Sequence, residues 1–215
     1  TKTASAVITA SYGPVVQNVT VTVADGRFWY SLGNGLGNGL DNNWYLDGNN
    51  ASVVSSDGNK TTVQMGSGYR GDLWLARSGK GKIVNVTPAD YRYFAIKVGF
   101  KSQLVPGKNK PNGCIKLEIF DDGIKKIGPE YFGTGGDANN RYEILGASEI
   151  STTEPNVLYY DLQSKYKTVP PTDWNQVFDL VQCKFVIADF PETAQTYDLY
   201  WIRSFKSIEE LQAFV

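Results

Sequence analysis

The sequence predicts an all-β protein, an antiparallel β-sandwich with a single short helix near its C-terminal end. Three observations carry this expectation. Apolar and polar residues alternate with period two in segment after segment, as half-buried strands require. Turn-forming clusters separate those segments. The composition also suits pleated sheets, with 13 Tyr, 10 Phe, 5 Trp and 22 Gly among 215 residues.

Taken in order, the first ten to twelve residues read as a tether or an outer strand. Val15–Val23 alternates Val with polar residues, and Arg27–Leu32 is an aromatic strand. The repeat Gly33-Asn34-Gly35-Leu36 and Gly37-Asn38-Gly39-Leu40 runs into Asp41-Asn42-Asn43-Trp44 and reads as a looped excursion, since Gly and Asn tolerate positive φ. Lys60–Met65 and Asp72–Arg77 follow as strands. In Tyr91–Phe100, Phe94, Ile96, Val98 and Phe100 fall on one face and Tyr91, Tyr93, Ala95 and Lys97 on the other. Gly113–Phe120 places Ile115, Leu117 and Ile119 inward, with Lys116 and Glu118 outward. Arg141–Leu145, Val157–Leu162, Phe178–Ala188 and Thr196–Phe205 complete the strands. Thr172–Asp179 has Asp173 as an N-cap for a short turn. Ser207–Phe214 reads as the helix, with Ser207 and Glu210 at capping-box spacing. Nothing in the chain reads as a Pro- or Ser-rich linker, so residues 1–215 are expected to form one domain. A domain of this length buries enough apolar surface to fold without a disulfide or a metal.

Composition narrows the function. Twenty-one basic and 22 acidic residues give a net charge of −1, so no basic surplus points to nucleic acid. No apolar run is long enough to cross a bilayer. The chain begins with Thr1 and not Met, and reads as a mature or trimmed form. Histidine is absent, which removes His metal sites, Ser-His-Asp triads and His general bases together. Cys114 and Cys183 fall on opposite strand faces and are expected as separate small thiols. Four N-x-S/T sequons, at Asn18, Asn50, Asn59 and Asn85, would matter in a eukaryotic secreted protein.

The residue types that bind sugars are plentiful. Flat aromatic rings take the C–H face of a pyranose, and planar polar groups take its hydroxyls. Trp44 and Tyr45 lie beside the Gly-Asn loop, and Trp174 lies in the Pro170-Pro171-Thr172-Asp173 loop. Trp29 and Trp74 alternate against apolar strand neighbours, although a strand Trp is more often core. Tyr91, Tyr93, Lys97, Lys116, Glu118 and Lys184 are expected to line a concave face of adjacent strands. Glu118, Asp121 and Asp122 are the best carboxylate group for glycoside hydrolysis, but Asp121-Asp122-Gly123 reads better as a turn. No catalytic residue is assigned.

The C-terminal run Tyr197-Asp198-Leu199-Tyr200-Trp201-Ile202-Arg203-Ser204-Phe205-Lys206 and its Glu209-Glu210-Leu211 helix resembles the closing signature of surface β-sandwich domains from polysaccharide-utilisation systems of gut Bacteroidetes. Many of those domains are described as domains of unknown function. Tyr200 stands where the signature often has Asp. The resemblance implies a jelly roll of the galactose-binding or concanavalin-like kind. It also implies non-catalytic polysaccharide binding at the outer-membrane or extracellular surface, by a lipoprotein lacking its signal. A monomer beside glycan transporters and hydrolases is then expected. Trp201 would belong to the structural closing strand. A jelly-roll hydrolase or lyase, or a spacer domain, are the alternatives. The segment Tyr93–Gln103 is similar to the Lys-x-Gly-x-Tyr-x-Gln strand of a jelly-roll alginate lyase family, but Lys101 replaces the acid/base Tyr. No cofactor is expected apart from the structural calcium common in jelly-roll glycan-binding modules. Asp198, with Asp25 or Asp189, would be its ligands.

Overall fold

A computed structural model describes residues 4–23, 29–31, 47–66, 70–76, 85–86, 89–101, 114–121, 132–133, 143–161, 178–188 and 195–215. Those residues form fifteen strands and one helix. In chain order the strands are β1 (Ala4–Tyr12), β2 (Val15–Val23), β3 (Trp29–Ser31), β4 (Asp47–Asn49), β5 (Ala51–Ser56), β6 (Thr61–Met65), β7 (Arg70–Ala76) and β8 (Asn85–Val86). They continue with β9 (Tyr93–Phe100), β10 (Cys114–Asp121), β11 (Phe132–Gly133), β12 (Glu143–Ile144), β13 (Asn156–Asp161), β14 (Phe178–Ala188) and β15 (Thr196–Phe205). Helix α1 is Ile208–Phe214.

The architecture is the expected antiparallel sandwich. One sheet runs β11-β10-β14-β7-β4, with β8 paired to β14. The other runs β12-β13-β9-β15-β6-β5, with β3 paired to β15. The inward residues of both layers make the core. Phe94, Ile96, Val98 and Phe100 are buried as the alternation requires, beside Leu199, Ile202, Val63 and Leu158. Leu73 and Phe185 face them from the other sheet, and the Phe185 ring meets Tyr197 edge-on at 5.4 Å between centroids. The layers come close at one corner. A Cβ at Gly71 would lie 2.6 Å from Met65 Cε and 3.0 Å from the Asn50 carbonyl oxygen, and Asn50 itself has φ 55°. The Tyr197 hydroxyl is buried with no hydrogen-bond partner among the described residues, and burial pushes its pKa up.

The helix forms as its caps predict. The Glu210 amide donates to Ser207 Oγ at 3.2 Å, and the Glu210 carboxylate accepts from the Lys206 amide at 2.6 Å. The return bond therefore reaches one residue further back than in the usual capping box. Leu211 is fully buried and belongs to an apolar cluster with Ala95, Val157, Trp201 and Phe205 on the outer face of the helix-bearing sheet. Ala95, expected on a solvent face, is buried because the helix covers it.

Strands β1 and β2 pair with each other in a two-stranded sheet of their own, in register from Ala4 opposite Val23 to Tyr12 opposite Val15. The opening residues are thus a strand, but not one of either sandwich sheet. Edge strand β5 is Ser-rich and exposed beyond Ala51; its weak alternation left it unmarked in the sequence. Cys114 aligns with Ala188 and Cys183 with Ile119, well apart along the β10–β14 ladder.

Candidate functional site

Strand β15 lies in the middle of its sheet and carries two different surfaces on one face. Its register against β9 shifts between Leu199 and Trp201. That bulge puts one extra residue, Tyr200, into the strand, so Tyr200 and Trp201 follow each other without changing sides. Trp201 packs under the helix, with ring centroids 5.2 Å from Phe214 and 6.1 Å from Phe205. The Arg203 guanidinium lies 4.1 Å from the centre of the Phe214 ring. Tyr200 is partly buried against the edge of this apolar cluster and borders a polar zone on its other side.

The polar zone is centred on Asp198, whose side chain is 3% exposed. Three strands meet there because Asp198 pairs with Gly99 on one side and Thr62 on the other. Its Oδ2 accepts from Lys60 Nζ at 2.7 Å and from Lys101 Nζ at 2.8 Å, and its Oδ1 accepts from Thr62 Oγ1 at 2.7 Å. Burial pushes the Asp198 carboxyl up, but the bonds from Lys101, Lys60 and Thr62 outweigh it and hold the pKa below the ordinary aspartate value. The bond to Asp198 in turn raises the Lys60 pKa. The carboxylate is therefore a fixed anion beneath two half-exposed ammonium groups.

Tyr200 lies over Gly99. A Cβ built on Gly99 would sit 3.6 Å from Tyr200 Cε2 and 3.7 Å from its hydroxyl oxygen, ordinary van der Waals distances, so the ring lies close over the sheet with space for no more than a small side chain beneath it. Lys97, one outward position further along β9, holds its Nζ 5.9 Å from the Tyr200 ring centre. Lys97, Gly99 and Lys101 thus occupy successive positions on one face, with room between the lysines for a ring. Tyr200 and Lys97 are half-buried and Lys101 is exposed. At the far end of the same face, Arg92 makes two bonds to the Asp161 carboxylate beside Tyr93. Tyr93 and Tyr159 meet edge-on at 6.4 Å.

The expected site residues are distributed differently from their reading in sequence. Trp44, Tyr45, Trp174, Asp25 and Asp189 lie outside the described residues. Tyr93 and Lys97 stand on the outer face of the helix-bearing sheet, where Trp29 aligns with Arg203. Trp74 and Glu118 belong to the other sheet, in one row on either side of Lys184. The expected continuous face from Tyr91, Tyr93 and Lys97 to Lys116, Glu118 and Lys184 is corrected: β9 pairs with β13 and β15, while β10 pairs with β11 and β14. Alternation gives a residue's face but not its sheet. Tyr91 is a second correction. It precedes β9 and is 1% exposed, beneath Lys206, whose Nζ lies 5.1 Å from its ring centre. At Asp198, read as a calcium ligand, two ammonium groups and a hydroxyl occupy the carboxylate oxygens. Among the described residues no group of three or more His, Cys, Asp or Glu is placed to hold a metal.

Lys60 and Thr62 were not singled out in the sequence, and Tyr200 and Lys101 stood out only as departures from the surface-domain signature and the lyase strand. Two signals were available: the Lys97-x-Gly99-x-Lys101 spacing, and the adjacent aromatics Tyr200-Trp201 that break the alternation of β15. The fold and this face define a class: an antiparallel sandwich whose helix covers part of one outer sheet face and, among the described residues, leaves a polar, tyrosine-bearing part uncovered. The chain belongs to the family described as DUF4979, a domain of unknown function, which matches residues 35–211. No curated protein and no solved structure matches it.

Proposed function

We propose that this domain binds carbohydrate without turning it over, at the surface of a bacterial cell and within a glycan-utilisation system. The observation that carries the reading is Tyr200 lying over Gly99 among Lys97, Lys60, Lys101 and Thr62. An aromatic ring held against the sheet offers a face for the C–H side of a sugar, and the surrounding N–H and O–H groups suit its hydroxyls. The one carboxylate at this position is buried and held ionised, which suits a structural anion better than a general acid. The resemblance of the β15–α1 segment to surface domains of polysaccharide-utilisation systems supplies the setting. An open face of this kind buries little of a ligand, so micromolar to millimolar affinity is expected.

Native affinity electrophoresis against a panel of plant, microbial and host polysaccharides tests the reading, with a reducing-sugar assay on the same mixtures. Retardation without sugar release is expected, and Tyr200→Ala should abolish it while the fold persists. Sugar release would make the domain an enzyme. Retention unaltered by Tyr200→Ala would move the site elsewhere, with the Trp74–Lys184–Glu118 row next in line.

A further inference from the structure

We infer that the ligand of this face carries a negative charge, a uronate carboxylate or a sulfate ester on the sugar, and that Lys60 and Lys101 bind it together. The inference rests on the carbohydrate-binding reading and names its ligand class.

The charge balance is the first argument. One ammonium group would neutralise Asp198, yet two converge on the same oxygen, Oδ2, at 2.7 and 2.8 Å. Both lysine nitrogens therefore lie close enough together for one anionic group to bridge them. The second argument is exposure. The Asp198 side chain is 3% exposed, whereas Lys60 and Lys101 are 31% and 53% exposed. An approaching ligand meets the cations and not the anion beneath them. Asp57, another carboxylate close to Lys60, is turned to the backbone, where its Oδ1 accepts from the Asn59 and Lys60 amides at 2.7 and 2.9 Å. Each ammonium has three N–H groups and gives one to Asp198, so both can donate outward while the carboxylate holds them in place. Lys97 adds a third cation beside Tyr200. A sugar ring on Tyr200 would bring a ring substituent to the lysine pair.

The pairing also separates this face from a plain ion pair. Asp198 is a positioning residue that fixes two long, flexible side chains. Lysines fixed in this way lose less freedom on binding than free surface lysines would.

The test is affinity electrophoresis and calorimetry on the intact domain at low and moderate salt. Polygalacturonate and alginate serve as carboxylate probes, chondroitin sulfate and dextran sulfate as sulfate probes, and galactan and mannan as neutral controls. Retention by an acidic polymer is expected, with affinity falling as salt rises. Lys60→Gln/Lys101→Gln should weaken it at least tenfold, and Lys60→Arg/Lys101→Arg should restore most of it. Lys101→Gln alone leaves Lys60 on Asp198, so it reports binding if the double variant does not fold. Which acidic probe is retained distinguishes carboxylate from sulfate. Retention by neutral polymers alone, or acidic retention unchanged in Lys101→Gln and the double variant, overturns this inference and leaves carbohydrate binding standing. No retention by any polymer overturns both.

Discussion

Strand β2 alternates apolar and polar residues much as β9 does, yet in the β1–β2 hairpin Ile8 and Val19 are each 58% exposed while Ile96 and Val98 are fully buried. In the hairpin, Ala6, Ile8, Ala10, Tyr12, Val15, Gln17 and Val19 share one face by register, and Val7, Thr9, Ser11, Val16, Asn18 and Thr20 share the other. Every side chain from Ala6 to Thr20 is exposed, and no charged residue occurs between Thr3 and Ala24. The helix-bearing sheet has a similar pattern but a second layer above one face and a helix over part of the other. The difference teaches that alternation specifies a face and not its cover. The ladder alone gives a two-stranded sheet little stability, and most of the stabilisation comes from the layer that buries it.

Four variants test this contrast. Trp201→Ala should have the largest effect, about 3–5 kcal/mol of lost stability in urea unfolding, because it empties the space under the helix. The far-UV helical signal should fall with it. A loss below about 1 kcal/mol would mean that the helix adds little to the sheet. Asp198→Asn should cost about 2 kcal/mol at neutral pH, since Lys60 and Lys101 would face each other without an anion, and their partial exposure limits the cost.

The same variant has a pH signature. The folded Asp198 pKa lies below its unfolded value, so its contribution is complete above the ordinary aspartate range, about 3.9, and is lost as pH falls through the lower folded value. Acid melting profiles should therefore be steeper in the wild type than in Asp198→Asn. Parallel acid limbs would contradict the assigned role.

Tyr197→Phe should change little, or stabilise by up to about 1 kcal/mol, because it removes a buried hydroxyl without a hydrogen-bond partner among the described residues. A clear loss would reveal a partner for that hydroxyl. The smallest effect is expected for Ile8→Ser with Val19→Ser, within about 0.5 kcal/mol in thermal melts. If that pair cost as much as a core substitution, the hairpin would have a cover in solution and the contrast would fail.

Much of the fold was legible from short-range pattern. Strands β2, β14 and β15 have the expected bounds, and β6, β7, β9, β10, β13 and α1 differ by a residue or two. Their alternation is strong because one face is buried. The Ser-rich edge strand β5 and the two- and three-residue strands β4, β8 and β11 were missed. At those lengths period two has nothing to repeat against. The site was less legible. Lys60 and Asp198 are 138 residues apart in sequence, and only the β15–β6 register brings them together. The division of β9 and β10 between two sheets is equally invisible, since both strands alternate alike. The capping of α1, by contrast, depends on residues within four positions of one another and was read directly.

The bulge makes Tyr200 the one residue of β15 that is surplus to the alternation packing the strand. Deleting Tyr200 would join Leu199 to Trp201 opposite Val98 and Lys97, which are already neighbours on β9, so Trp201, Arg203 and Phe205 would stay on the helix side and Ile202 and Ser204 toward the core. Replacing Tyr200 would change one surface and leave the rest in phase. Among sequences of this family, this position should therefore vary in residue type and even be skipped, while the alternation on either side of it holds. Ligand preference could then diverge there without any cost to the packing beneath the helix.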